Sequence, residues 1–266
     1  MASQKRRLFS VIVPAYKQEK TIAEDLRQIE EALKQIRYDY EIICVVDGRL
    51  DKTWQNAKEI ASGKIKVVGY DKNRGKGYAV RYGMARAGGD PLAFIDAGMD
   101  IDPGGLSMLL EHFEWYKSDI IVGSIRHSAS KVYSYPLKRR ILSVGYHTLT
   151  KLLFGLRITD SQRGIKIFKR KVLEKVLPRL LVKQFAFDIE MLAVAKSLGF
   201  TNIHDGPVIL DAARLKYSSI KMGTIFSMLL DTLAVFYRLN ILRYYDDRNH
   251  RKWRYDADLD FRVNIG

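Results

Sequence analysis

The sequence predicts an α/β fold, a doubly wound and mainly parallel sheet flanked by helices, with an amphipathic helix near the C-terminus. Three observations carry this prediction. Short Val- and Ile-rich runs alternate with helical segments through the first half of the chain, the order that builds a parallel sheet. Those runs are apolar throughout rather than at every second position, as strands covered on both faces are. The 266 residues, 47% hydrophobic and 11% aromatic, suffice for one large core and exclude a disordered chain.

The opening MASQKRRLFSVIVPAY is basic, but its apolar run is short and holds Pro14, so it reads as the first strand, Leu8–Tyr16, rather than a leader. A helix follows over Thr21–Ile36, where Ile22, Leu26, Ile29, Leu33 and Ile36 recur at spacings of three and four. Strands are then expected at Glu41–Asp47, Ile65–Tyr70, Pro91–Asp96 and Asp119–Ser124, separated by helices at Lys52–Ala61, Gly75–Ala87 and Pro103–Tyr116. Asp51 is placed to cap the second helix. The second half is more helical, with helices at Pro136–Phe154 and Phe185–Leu198 and strands at Gly164–Phe168 and Asn202–Leu210. In Met222–Tyr245 a wide apolar face (Phe226, Leu229, Leu230, Leu233, Phe236, Tyr237 and Ile241) opposes Ser227, Asp231 and Arg238. Arg243, Arg248, Arg251, Lys252 and Arg254 follow it, the pattern of a helix lying in a membrane interface beside basic anchors. Residues 1–213 thus read as the main domain, and 214–266 as a membrane-interface helix with a basic tail.

Charge narrows the function. Lys and Arg number 45 against 30 Asp and Glu, a net +15, which predicts an anionic partner. The excess is concentrated: residues 121–183 hold fifteen basic and two acidic side chains. Interleaved aromatics in a recognisable motif are missing from that stretch, which argues against nucleic acid. The single Cys44 excludes a disulfide framework and a cysteine-rich zinc site and predicts a reducing, cytoplasmic setting. No run of about 18 uninterrupted apolar residues occurs, so the protein is expected to be soluble or to sit on a membrane face.

In open parallel sheets ligands bind beyond the carboxyl ends of the strands. Polar residues gather at three such ends: Pro14 to Glu19, including Ala15, Tyr16 and Gln18; Asp47 to Asp51; and Asp96 to Asp102. The last group suits a hard cation, Mg²⁺ or Mn²⁺, whose shell a nucleoside diphosphate would complete. Asn73-Arg74-Gly75-Lys76-Gly77 precedes a helix, where Arg74 and Lys76 are placed to meet phosphates.

These segments, VIVPAYKQEKTI, VVDGRLDKTW, NRGKGYAVRYGMARAGGD, FIDAGMDIDP and DSQRGIKIFKRKVL, resemble in order and spacing the family 2 glycosyltransferases of the GT-A fold. GSIRH, LKRRILS, DSQRG and FAFDIEML are similar to the polyprenol- and dolichol-phosphate glucosyl- and mannosyltransferases, the last two more to the glucosyl branch. The resemblance runs from Leu8 to Leu210. It implies that Pro14, Ala15, Tyr16 and Asp47 hold the nucleotide's base and ribose and that Asp96 opens the DxD metal motif; Gln18, Lys76 and Asp96 are expected to bind the nucleotide with them. Gly98 stands where that motif has its second aspartate, so Asp100 is expected to supply the missing carboxylate. Arg126 matches a phosphate-binding arginine, and Arg139 and Ser143 match residues that meet the acceptor lipid phosphate; Arg140 is expected to hold that phosphate with them.

The activity implied is inverting transfer of a hexose from a nucleotide sugar, of UDP-glucose or GDP-mannose type, to a polyprenyl monophosphate. The protein would act peripherally at the cytoplasmic face of an anionic membrane. A phosphate nucleophile is already anionic and requires no general base; Asp188 is the candidate if one is used, and Asp188 and Glu190 are candidates to orient the arginines. Two alternatives stay open: a family 2 enzyme with a hydroxyl acceptor, and a catalytically impaired GT-A protein that binds nucleotide or membrane. The sequence leaves the oligomeric state open.

Overall fold

Strands covered on both faces require helices above and below, and the chain supplies them in alternation. The computed structural model describes residues 7–184, 186–213, 222–247 and 252–265. Its first four strands are β1 (Leu8–Ala15), β2 (Asp39–Asp47), β3 (Ile65–Tyr70) and β4 (Leu92–Ile95). With β5 (Ile120–Ser124), β7 (Ile165–Phe168) and β8 (Ile203–Pro207) they form one sheet in the order β3-β2-β1-β4-β7-β5-β8. Strands β6 (Lys131–Tyr133) and β9 (Ile209–Asp211) pair separately.

Parallel pairing holds from β3 through β4, with Ala15 opposite Val46 and Ile12 opposite Phe94. Strand β7 departs from it and runs antiparallel to both β4 and β5. The chain between β5 and β7 makes its own ribbon strand and a long helix instead of a crossover packed on the sheet, so β7 returns in the opposite direction.

Helices α1 (Ile22–Lys34), α2 (Thr53–Glu59) and α4 (Gly105–Trp115) bury one face of the sheet against Val11, Val13, Ile42 and Cys44. Helices α3 (Lys76–Ala85), α6 (Arg170–Val176) and α7 (Phe187–Ser197) bury the other against Ile12, Ile43 and Val45. In α1 the stripe Ile22, Leu26, Ile29 and Leu33 is fully buried, each side chain worth roughly 1.5–3 kcal/mol of transfer free energy. Ile36 falls beyond the helix end and is half-buried.

The second half differs more from expectation. The strand predicted over Asn202–Leu210 divides between two sheets at Val208. The tail predicted to be merely basic forms a hairpin of β10 (Trp253–Asp256) and β11 (Phe261–Asn264), whose Phe261 packs on the core. Helix α5 (Leu137–Phe154) lies beside α8 (Met222–Phe236), which continues in a π-helical turn, Tyr237–Ile241. A 2.8 Å bond between the Tyr146 and Thr232 hydroxyls joins them. Both turn apolar side chains outward: Leu137, Ile141, Val144 and Leu152 on α5, and Phe226, Leu230 and Leu233 on α8.

Contrary to the sequence expectation, Gly223–Ile241 is long and apolar enough to cross a membrane, with mean hydropathy 1.3 and 11% of it buried. Asp231 and Arg238 break the uninterrupted apolar run, yet the average tolerates them. Arg243, Lys252 and Arg254 are exposed, whereas Arg248 and Arg251 lie outside the described residues, as do Phe185, residues 214–221 and the first six.

One buried polar knot locks the N-terminal sheet. Glu41 accepts hydrogen bonds from Ser10 Oγ (2.7 Å), Lys66 Nζ (2.8 Å) and the Gly88 N–H (2.6 Å). Burial pushes its pKa up, but Lys66, Ser10 and Gly88 outweigh it and hold the carboxyl below its ordinary range. A depressed folded pKa stabilises above the unfolded pKa and loses that stabilisation as pH falls through the folded value. Glu41→Ala is therefore expected to cost ~2 kcal/mol in urea unfolding at neutral pH. The difference from wild type should shrink below about pH 4.

Candidate active site

Strand order reverses between β1 and β4, and their carboxyl ends open a crevice there. A cavity of about 900 Å³ fills it, lined by Pro14, Ala15, Tyr16, Gln18, Asp47, Lys76, Asp96 and Asp100 among others. Apart from Arg74, every residue expected to meet the nucleotide therefore lines one cavity.

Asp47, at the end of β2, is buried and fully engaged. It accepts from the Arg74 N–H (2.7 Å), the Gly75 N–H (3.0 Å), Asn73 Nδ2 (2.8 Å) and the Tyr70 hydroxyl (2.9 Å). Its carboxylate thus shapes the Asn73–Gly75 loop that walls the cavity. Gly75 adopts φ +95°, and a β-carbon there would collide with the Lys183 carbonyl, so only glycine fits. Arg74 does not turn toward the cavity as expected. It pairs with Asp258 of the C-terminal hairpin (2.7 Å) and stacks on Tyr70 and Tyr78.

Beneath the cavity lies a chain of buried charges. Lys76 Nζ donates to Asp96 (2.9 Å) and Asp188 (3.3 Å), and the fully buried Lys166 donates to Asp188 (2.6 Å) and the Arg163 carbonyl (2.6 Å). Burial alone would lower the Lys76 pKa, but Asp188 and Asp96 outweigh it and raise it, so Lys76 is an ammonium. Burial likewise pushes Asp188 up, and Lys166 and Lys76 bring it below the ordinary carboxylate range. A carboxylate so deeply buried and so strongly neutralised is a poor base, so Asp188 holds Lys76 in place instead. Glu190 is also placed differently from expectation. It accepts from the Leu181 and Val182 N–H groups and from the Tyr245 hydroxyl (2.7 Å), fastening the segment after α8 rather than any acceptor arginine.

The fit to a cation rests on Asp96 and Asp100. Both line the cavity, and burial followed by the charge of Asp96 pushes the Asp100 carboxyl up. Two carboxylates that repel each other are an environment a divalent ion relieves, with the Lys76 ammonium already standing against one of them. Among the described residues no cluster of three or more His, Cys, Asp or Glu could hold a metal, so the remaining ligands must come from substrate or water. Gly98 has φ +94° and gives its N–H to Asp25 (2.9 Å). An aspartate there would be strained, which accounts for glycine in the motif's second position.

Among the residues expected to hold the acceptor, Arg126 donates to the Thr159 carbonyl (2.7 Å) and to Ser143 Oγ (3.0 Å). Arg139 lies one turn before Ser143 on the same half-buried side of α5, and Arg140 is exposed beside it. None of these four lines the donor cavity. Arg126, and Ser143 through it, connect to that cavity by the loop from Thr159 to Gly164, where Asp160 pairs with Arg163 (2.8 Å) and Arg163 in turn acts on Asp100. Ser161 Oγ and Gln162 Nε2 in that loop are buried without a hydrogen-bond partner among the described residues. Lys166, Arg163 and Gly164 had no role in the sequence reading. Their only signal was the DSQRGIK segment itself.

The sequence model described as Glycosyl transferase family 2 matches residues 10–177. A dolichyl-phosphate beta-glucosyltransferase of Drosophila melanogaster is 35% identical over 204 residues, covering 71% of this chain and 63% of that one. One from Trichomonas vaginalis is 31% identical over 247 residues, covering 87% and 74%. The chain thus spans somewhat under two thirds of the Drosophila relative's length. Glucosyl-3-phosphoglycerate synthase from Mycobacterium tuberculosis, solved with Mn²⁺, UDP and phosphoglyceric acid, superposes with TM-score 0.64 at 18% identity, covering 97% and 87%. The same enzyme with Mn²⁺ and UDP-glucose gives 0.63 at 19%. These structures share the GT-A fold.

Gly164 supplies a test of the site. A β-carbon there would land on the Asp96 carboxylate. Gly164→Ala is expected to displace Asp96 and weaken Mn²⁺ binding by about tenfold or more in calorimetry, with circular dichroism unchanged.

Proposed function

This chain belongs to the family 2 glycosyltransferases, and from that premise we propose that it transfers glucose from UDP-glucose to a polyprenyl monophosphate with inversion. The observation that carries the reading is the loop from Thr159 to Gly164. One end receives Arg126 and, through it, Ser143; the other end seats Asp96 in the donor cavity. A phosphate monoester bound by the first group is thereby brought toward a sugar diphosphate bound by the second. Likeness to dolichyl-phosphate beta-glucosyltransferases supports glucose as the sugar and a lipid phosphate as the acceptor.

In this reaction an acceptor phosphate oxygen attacks the anomeric carbon, and the bond to the nucleoside diphosphate breaks on the opposite side. The nucleophile is anionic at neutral pH, so no side chain must remove a proton, in keeping with the neutralised state of Asp188. The protein's work is orientation and charge compensation. Lys76 places a fixed ammonium at the floor of the donor cavity, and Arg126 offers a guanidinium whose planar fork suits phosphate oxygens. Asp96 and Asp100 would hold Mg²⁺ or Mn²⁺, which when bound supplies positive charge to the departing diphosphate.

The membrane reading extends from one helix to two. Thr232 and Val235 are buried against the protein while Phe226, Leu230 and Leu233 face outward, so α8 offers lipid one side only. The outward apolar side of α5 is edged by Lys138, Arg139, Arg140 and Lys151, suited to anionic headgroups at the cytoplasmic face. These outward faces support a peripheral position in the interface, with the acceptor arginines at the lipid edge.

Transfer of labelled glucose from UDP-glucose to farnesyl monophosphate, abolished by EDTA and restored by Mn²⁺, is the expected result. Arg139→Ala should cut this transfer about tenfold or more while UDP-glucose binding changes less than twofold. Transfer to a soluble sugar without lipid would contradict the reading. In vesicle flotation, the protein should float with phosphatidylserine-containing vesicles. The double substitution Leu230→Ser, Leu233→Ser should leave it in the pellet fraction.

A further inference from the structure

His147 lies one turn beyond Ser143 on α5, half-buried, on the side of the helix that faces Arg126. Its ring makes no hydrogen bond to any described residue, although the hydroxyl before it and the guanidinium beside it are both engaged. We infer that His147 is a further ligand of the acceptor phosphate, joining Arg126 and Ser143 in its cradle. The inference rests on the reading of the acceptor as a phosphate monoester, and it adds a residue that neither motif spacing nor family resemblance assigned.

Stoichiometry and charge support it. Arg126 already gives one N–H to the Thr159 carbonyl and another to Ser143, so it brings charge to the cradle but fewer open donors. A phosphate monoester presents three acceptor oxygens and about −1.5 to −2 charge. An imidazole N–H, with no partner competing for it among the described residues, supplies a further donor. The groups acting on the ring come from three elements: Arg126 after β5, Asp160 before β7, and Lys151 one turn along α5. Burial and then Arg126 push its pKa below the ordinary value, Lys151 adds to them, and Asp160 opposes. The ring is therefore neutral at neutral pH before the acceptor arrives. A phosphate placed among these groups reverses the balance, so binding takes up a proton and acceptor affinity falls as pH rises past neutrality.

The test uses the full chain labelled with ¹⁵N-histidine, in micelles, with the His147 signal identified by its loss in His147→Gln. Farnesyl monophosphate is expected to raise the ring's pKa by about one unit or more, and farnesol to leave it unchanged. In the transfer assay, His147→Gln should raise KM for farnesyl monophosphate about tenfold, with kcat and the UDP-glucose Kd within twofold. It should also flatten the rise of that KM between about pH 7 and 8.5. An unmoved pKa overturns the inference, as does an equal loss of donor binding, which would mark a merely structural ring. A shift of the same size with inorganic phosphate at equal concentration would assign the cradle to a free anion and overturn the acceptor role. A farnesyl-phosphate-specific shift without any glucose transfer would leave the cradle standing and remove the proposed reaction instead.

Discussion

The buried row of Asp96, Lys76, Asp188 and Lys166 is the constraint on which the rest of the site depends. Two carboxylates and two lysine amines alternate with separations of 2.6–3.3 Å, and Lys166 is wholly removed from solvent, where burial pushes its pKa down against the pull of Asp188. Charges so placed are costly unless every member keeps its partner, because removing one leaves an uncompensated ion in a low dielectric. The four residues come from β4 and its end, α3, α7 and β7, so the row also fixes these elements relative to one another. It determines how the Asp96 carboxylate is held at the cavity, and with it where the proposed divalent ion would bind.

From that row the molecule divides into two electrostatic territories that meet at one loop. The cavity proposed for the donor presents carboxylates and the buried ammonium of Lys76; the side proposed for the acceptor presents Arg126, Ser143 and the basic edge of α5. The loop from Thr159 to Gly164 touches both, with its Asp160–Arg163 pair between them. Antiparallel β7 follows directly from this arrangement. Its N-terminal end, rather than its carboxyl end, lies at the crevice, which is how Gly164 comes to sit under Asp96. On the proposed function, the outward apolar faces of α5 and α8 continue the acceptor side toward lipid.

The C-terminal segment links these territories a second time. Tyr245, after α8, is held by Glu190 on the same helix that carries Asp188, and Asp258 in the terminal hairpin holds Arg74 on the loop organised by Asp47. The tail of a chain with no strong periodic pattern thus becomes a strap across the donor side. Its ties are local polar contacts between residues about 55 to 184 positions apart, and no window of sequence contains both partners.

What the residues themselves determined is the alternating scaffold and the set of strand ends. Continuous apolar runs can only be covered strands, and the polar clusters that follow Ala15, Val46 and Ile95 can only emerge at one crevice of a parallel sheet. Pro14, Tyr16, Asp47, Lys76 and Asp96 were therefore legible before any coordinates. Only the tertiary structure decided the direction of β7, the turning of Arg74 to Asp258, and the neutralised state of Asp188. It also decided the hairpin and the standing of Ser143 and His147 beside Arg126. Each of these depends on which charge finds which partner across the fold. That is a matter of distance and burial, and neither is written in the order of residues along the chain.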